Sequence, residues 1–246
     1  MIISVYGYWK KSRGQEVDKY SEIKKDSSDY VNTGVKSIIG LIPGVGGLAT
    51  EVFSEVITPS LERRREAWLD NLAIMLNELN EKVENFSIDN LIINEKFVTC
   101  LIEASQLAIK NHQEEKLKCL KNAIVNTIIF DIADDKSKMF LNLVDELSCM
   151  QISILKFLDD PNAYYIRNGI ERKSYYMGSP SVLLLEAYPM LNDDKEYMNK
   201  LVKDLYSNGL INTESLNGSM TESGMYASRT TKFGKEFISF ISRQDI

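Results

Sequence analysis

Apolar side chains recur at helical spacing along most of the chain. Residues 31–42 carry Val35, Ile38, Ile39 and Ile42, and residues 48–57 carry Val52, Phe53 and Val56. Steps of three and four place each set on one face of a helix. Between them lies Pro43-Gly44-Val45-Gly46-Gly47. Proline lacks an N–H and collides with the preceding turn, and glycine adds backbone freedom, so no helix crosses this run undisturbed. The segment reads as a hairpin of two short apolar helices about a Pro-Gly elbow. Lys36 and Glu51 bracket fourteen residues without an ionisable side chain. Ile38, Ile39, Ile42, Leu48, Val52 and Phe53 are expected to be buried, with the later helices packed around them.

Four longer amphipathic helices follow. Thr58 as N-cap and Pro59 at the first helical position predict a helix to about residue 85. Its stripe is Trp68, Leu72, Met75, Leu76, Leu79 and Val83. Ser87 or Asp89 can cap a second helix, to about residue 110, with Leu91, Phe97, Leu101, Ile102, Ala108 and Ile109 inward. Residues 114–133 predict a third, with Leu117, Leu120, Ile124 and Ile128. Residues 136–158 predict a fourth, with Phe140, Leu143, Val144, Leu147, Met150, Ile154 and Phe157, closed by Pro161. Short joins imply antiparallel neighbours. The expected architecture is mainly α: an antiparallel helical bundle over 1–160. A linker is expected over 161–178. That stretch holds Tyr164, Tyr165, Tyr175 and Tyr176 and reads as a seam between domains rather than as a contact surface.

From residue 179 the pattern changes. Ser179-Pro180 predicts a helix to about residue 191. Asp193 or Asp194 caps another to Ser207, with Met198, Leu201, Val202 and Leu205 inward. Asn208-Gly209 stops it in the left-handed manner. Residues 210–216 and 225–229 predict two short strands around the Asn217-Gly218 turn. Thr230 starts a closing helix with Phe233, Phe237, Ile238 and Ile241. Helix, helix, two-stranded wing, helix is a small winged-helix-like α+β domain over 179–246. Residues 1–30 predict only an extended start and a weak helix near 15–25.

Charge sharpens this picture. The chain has 29 Lys+Arg against 35 Asp+Glu, a formal net charge of −6, which argues against wholesale phosphate binding. The candidate recognition helix sets Lys195, Lys200 and Lys203 against Asp194, Glu196 and Asp204. Residues 175–246 hold seven Lys/Arg and nine Asp/Glu, a net of −2. DNA binding wants a positive footprint, so protein docking fits this domain better. The first residues place apolar side chains before positive charge, the wrong order for a secretory signal. The apolar hairpin falls short of the roughly 20 residues of a spanning helix; an interfacial hairpin stays open. A cytoplasmic protein is expected, with membrane association on activation as a further state.

The candidate chemistry is sparse. The glycine-rich elbow lacks the Lys-Ser/Thr of a phosphate loop. His112 is the single histidine; with Glu115 it offers two metal ligands, short of the usual set. No Gly-x-Ser-x-Gly elbow accompanies it. Cys100, Cys119 and Cys149 have neither zinc spacing nor an even count and read as buried thiols. Asp193-Asp194 reads as a helix start, and Asp134-Asp135 and Asp159-Asp160 fall at helix ends. Arg63-Arg64-Arg65 between Glu62 and Glu66 reads as a solvated face. No catalytic residue, metal or cofactor is expected. The positions singled out as a hinge, or as a membrane or partner contact, are Pro43, Gly44, Val45, Gly46 and Gly47.

Two stretches carry a resemblance. ASQLAIKNHQEEKLKCLKNAIVN, in the middle, resembles a recurrent segment of uncharacterised bacterial proteins with this layout, and LVKDLYSNGLI followed by TKFGKEFISFI resembles the tail of bacterial abortive-infection proteins of the Abi-alpha type. In these a helical region precedes a similar tail. The resemblance implies a bacterial, phage-defence role and carries over no catalytic residue. The low-charge hairpin is also similar in kind to pore-forming helical bundles. The expected function is a non-enzymatic defence or stress protein acting through protein or membrane contacts, with a protein partner or self-association. The alternative is a winged-helix DNA-binding transcriptional regulator.

Overall fold

A computed structural model describes residues 33–42, 59–82, 88–130 and 132–243. Pro43, Gly44, Val45, Gly46 and Gly47 lie outside the described residues, as do Leu48, Val52, Phe53 and the N-terminal stretch. The described residues are mainly helical, with one two-stranded sheet. They divide into two compact units, one up to Lys110 and one from Asn111 onward.

In the first unit, α1 (Thr33–Gly40) packs on α2 (Pro59–Lys82) and on α3 (Ile88–Ile92); α2 also packs on α4 (Glu95–Lys110). Val35, Ile38 and Ile42 are buried as their spacing predicts, and Ile39 is half-buried. Trp68, Leu72, Leu76 and Leu79 form the buried stripe of α2. The Trp68 indole N–H donates to Ser105 Oγ at 2.9 Å, so the one polar atom of that ring is satisfied inside the core. The helix expected to run unbroken from Ser87 or Asp89 is interrupted between α3 and α4. Asn94 Oδ1 accepts from the Phe97 N–H at 3.1 Å, a local cap that offers the backbone an alternative to continuing the helix.

The second unit begins with α5 (Glu114–Ile129), α6 (Asp134–Glu146) and α7 (Cys149–Asp159). The predicted helix over 136–158 is thus two helices. Leu147 is extended, and Ser148 makes a capping box with Gln151, a stronger start signal than the apolar period could override. Pro161 does not merely end a helix: Asp160 accepts from the Ala163 N–H and Pro161 opens α8 (Pro161–Arg167). Part of the expected linker is therefore helical, with Tyr165 buried.

After β1 (Met177–Gly178) come α9 (Pro180–Ala187), a 3-10 turn at Pro189–Leu191, and α10 (Lys195–Ser207). The helix expected to reach residue 191 stops at Ala187, because Pro189 disfavours helical backbone at Tyr188. Asp194 caps α10 through the Tyr197 N–H. Gly209 takes φ +69°, as predicted, and the Leu210 N–H closes back on the Leu205 carbonyl. The predicted wing strands are not strands. Of residues 210–216 only Ile211 enters a bridge, an isolated antiparallel one with Thr230, just past the predicted return strand. The sheet instead pairs β1 with β2 (Met220–Thr221), in the register Met177–Thr221 and Gly178–Met220. Thr221 caps the short helix α11 (Glu222–Met225), which takes up the start of the expected return strand. The buried Arg229 guanidinium then gathers the carbonyls of Gly224, Met225 and Ala227.

The closing helix α12 (Lys232–Ile241) is capped by Thr231, one residue later than expected. It packs on α5. Phe140 of α6 sits with its ring 5.2, 5.5 and 5.3 Å from those of Phe233, Phe237 and Phe240. The three and four residue steps along α12 bring all three rings to one partner.

Candidate functional site

Among the described residues, a dense polar arrangement is built on two glutamates of the second unit. Glu186 is the one ionisable side chain of α9. Its Oε1 accepts from Lys173 Nζ at 2.7 Å and from the Tyr175 hydroxyl at 2.8 Å. Its Oε2 accepts from the Tyr165 hydroxyl at 3.0 Å. Glu222, in the first turn of α11, holds the same stretch of chain. Its Oε1 accepts from Arg172 at 3.0 Å, and its Oε2 from Ser174 Oγ at 3.0 Å and the Tyr175 N–H at 3.2 Å. Arg172 also lies over the Tyr226 ring, 4.2 Å from its centroid, and the Tyr226 hydroxyl donates to the Lys173 carbonyl at 3.3 Å.

These contacts set the titration of the group. Burial pushes the Glu186 carboxyl up, and the bonds from Lys173, Tyr175 and Tyr165 together outweigh it, holding it below the usual carboxylate range. Glu222 is held low as well, first by the Tyr175 N–H and the Ser174 hydroxyl. Burial and then the Glu186 carboxylate push both Tyr165 and Tyr175 up. The phenols stay protonated and donating at neutral pH, and the carboxylates stay ionised and accepting. Such groups fasten backbone segments; they are poorly poised to exchange protons near pH 7.

An aromatic cluster shares Tyr165 and Tyr226 with these polar contacts. The ring centroids of Tyr165 and Tyr226 are 5.8 Å apart, those of Phe157 and Tyr165 6.5 Å, and those of Phe157 and Tyr188 6.1 Å. Tyr176 and Met177, next in the chain after Tyr175, are 95% and 56% exposed, and Ile166 of α8 is 80% exposed.

The residues singled out in the sequence do not meet at one place. His112 is exposed between α4 and α5, and Glu115 pairs with Lys156 at 2.8 Å. Among the described residues no group of three or more His, Cys, Asp or Glu is placed to hold a metal. Cys100 and Cys119 are buried and Cys149 is half-buried, all as free thiols; burial pushes Cys119 up to about 11. Asp160 and Asp194 are helix caps, and Asp159 accepts from the Thr230 hydroxyl. Arg65 pairs with Glu62 within one turn of α2. The Glu186 and Glu222 clusters escaped the sequence reading. Two signals pointed to them: a lone carboxylate inside the apolar run of α9, and the clustered tyrosines of 161–178.

No protein-family model matches the chain, and no solved structure matches it. Among curated proteins, a similar stretch occurs in "Probable polyketide synthase 14" of Dictyostelium discoideum, 27% identical over 139 residues. The match covers 55% of this chain and 4% of that protein. The chain therefore spans a small fraction of the relative's length.

Proposed function

We propose that this chain is a non-enzymatic bacterial defence or stress protein that works by contact, with the surface around Tyr176 and Met177 as its docking face. The observation that carries the reading is the exposure of Tyr176 and Met177 on a segment whose neighbouring charges, Arg172 and Lys173, are already paired with Glu222 and Glu186. Aromatic and methionine side chains with depleted net charge are the composition of interface centres. The helix pair α9–α10, the Ile211–Thr230 bridge and α12 support a winged-helix-like module used for protein docking. Lys200 is paired with Asp204 and Lys203 with Glu214, which leaves α10 little positive charge for a phosphate backbone.

The test is a phage challenge of cells expressing the full chain. Restriction by the wild type, lost in Tyr176→Ser/Met177→Ser with an unchanged melting temperature, supports the reading. A variant that restricts as well as the wild type removes this surface from the function. Tight, salt-dependent binding of duplex DNA by the full chain would favour the transcriptional-regulator reading instead. For the membrane route through the Pro43–Gly47 elbow, Val45→Asp is the probe, since a charge enters lipid only at high cost. Loss of liposome binding in that variant alone would move the contact from a protein to a bilayer.

A further inference from the structure

We propose that residues 171–178 form a releasable strap, held shut by Glu186 and Glu222 over a floor of Tyr165, Met225 and Tyr226. The cover and what it covers are unequally buried. No residue from 171 to 178 is buried: Tyr175 and Gly178 are half-buried and the others are exposed. The strap therefore has no buried apolar anchor of its own. Its ties are the side-chain bonds to the two glutamates, the Tyr226 hydroxyl on the Lys173 carbonyl, and a two-residue strand pairing. Part-exposed ion pairs of this kind contribute little each, and short exposed pairings open first. The floor is the reverse case. Tyr165 and Met225 are 1% exposed and Tyr226 is 4% exposed. The strap takes part in covering Met225 and Tyr226. Arg172 lies over the Tyr226 face, and Gly178 sits so close to Met225 that an added Cβ would come within 2.9 Å of its Sδ and Cε.

Both ends are built to let the strap move as a unit. At the near end Gly169 has φ +61°, a backbone state that glycine enters without strain. The Ile170 N–H closes the end of α8 on the Tyr165 carbonyl, 2.9 Å away, so α8 is complete before the strap begins. At the far end α9 is anchored independently by buried Pro180 and by the Ser181 N–H on the Leu216 carbonyl at 3.0 Å. Opening breaks the strap's own bonds to Glu186, Glu222 and Tyr226 and the β1–β2 pairing, and leaves α8, α9 and α10 in place. The strap is thus a gate on an aromatic surface. It is read in the isolated chain, so its failure leaves the docking surface around Tyr176 and Met177 standing, and the reverse.

Hydrogen exchange on the full-length chain, followed by mass spectrometry, tests the gate. In the wild type, amides of 172–178 are expected to exchange at least about 100-fold faster than those of α10, through a local opening that denaturant does not accelerate. Glu186→Gln/Glu222→Gln is expected to speed the strap roughly tenfold further while α10 is unchanged, the signature of a local tie. Trypsin, which cuts after Arg172 and Lys173, is expected to nick the native chain there first, and faster in the double variant. If the variant does not fold, the wild-type exchange and cleavage decide alone. Strap amides that exchange only with global unfolding, at the rate and denaturant dependence of α10, would overturn the proposal.

Discussion

A Cβ placed on Gly234 would lie 2.1 Å from the Leu210 carbonyl oxygen. The same carbonyl accepts from the Thr231 N–H at 3.0 Å, while Thr231 Oγ1 accepts from the Gly234 N–H at 2.9 Å. The Gly-Leu-Ile run and the Thr-x-x-Gly run are therefore one joint, and the glycine is there to let a helix start touch a backbone oxygen. Gly234→Ala is expected to cost about 1–3 kcal/mol or more, the range of overpacked sites that must shift backbone; urea denaturation measures it. Glu186 and Glu222 make a prediction in pH. Both are held below their ordinary carboxylate value in the fold, so their contribution is complete above that value and is lost as pH falls through the lowered one. Strap protection in hydrogen exchange is expected to hold at neutral pH and to decline in acid, below the ordinary carboxylate range. Glu186→Gln/Glu222→Gln should flatten that decline.

Helix ends in this chain are decided by single polar side chains. Ser148 Oγ accepts from the Gln151 N–H, and Gln151 Oε1 accepts from the Ser148 N–H at 2.8 Å. Ser148→Ala should lower stability by about 1 kcal/mol, as for other N-cap losses, with no change in helix content by circular dichroism. At the other end of the unit, Asn126 is fully buried and its Nδ2 lies 2.9, 2.8 and 2.8 Å from the carbonyls of Ser239, Phe240 and Ser242. Asn122, one turn earlier on α5, donates to the Ile241 carbonyl at 2.9 Å. Helix carbonyls at a C-terminus have no partner inside the helix, and here α5 supplies it. Asn126→Leu removes the donor from the buried Phe240 carbonyl. It is expected to destabilise by about 1–3 kcal/mol, the cost of buried unsatisfied groups, and to loosen α12 first in hydrogen exchange.

At the scale of the whole molecule, the unit from Asn111 onward has its own core, centred on Phe140 and the phenylalanines of α12. A fragment beginning at Asn111 is expected to fold alone, with a single cooperative transition in denaturant; a broad, non-cooperative melt would show that its core is incomplete. The mainly helical class, the buried stripes of α2, α10 and α12, and the caps at Asp194 and Gly209 were legible in the sequence. Each depends on residues within a turn or two of one another, and local spacing carries that information. The breaks at Asn94 and Ser148 were written there too, as polar caps, but a longer apolar period masked them. The pairing of β1 with β2 was decided elsewhere, since strands choose partners across long stretches of chain. The joining of Glu186 to Lys173, Tyr175 and Tyr165 was likewise a tertiary outcome: α8 and α9 had to pack before a lone carboxylate in an apolar helix could find three donors.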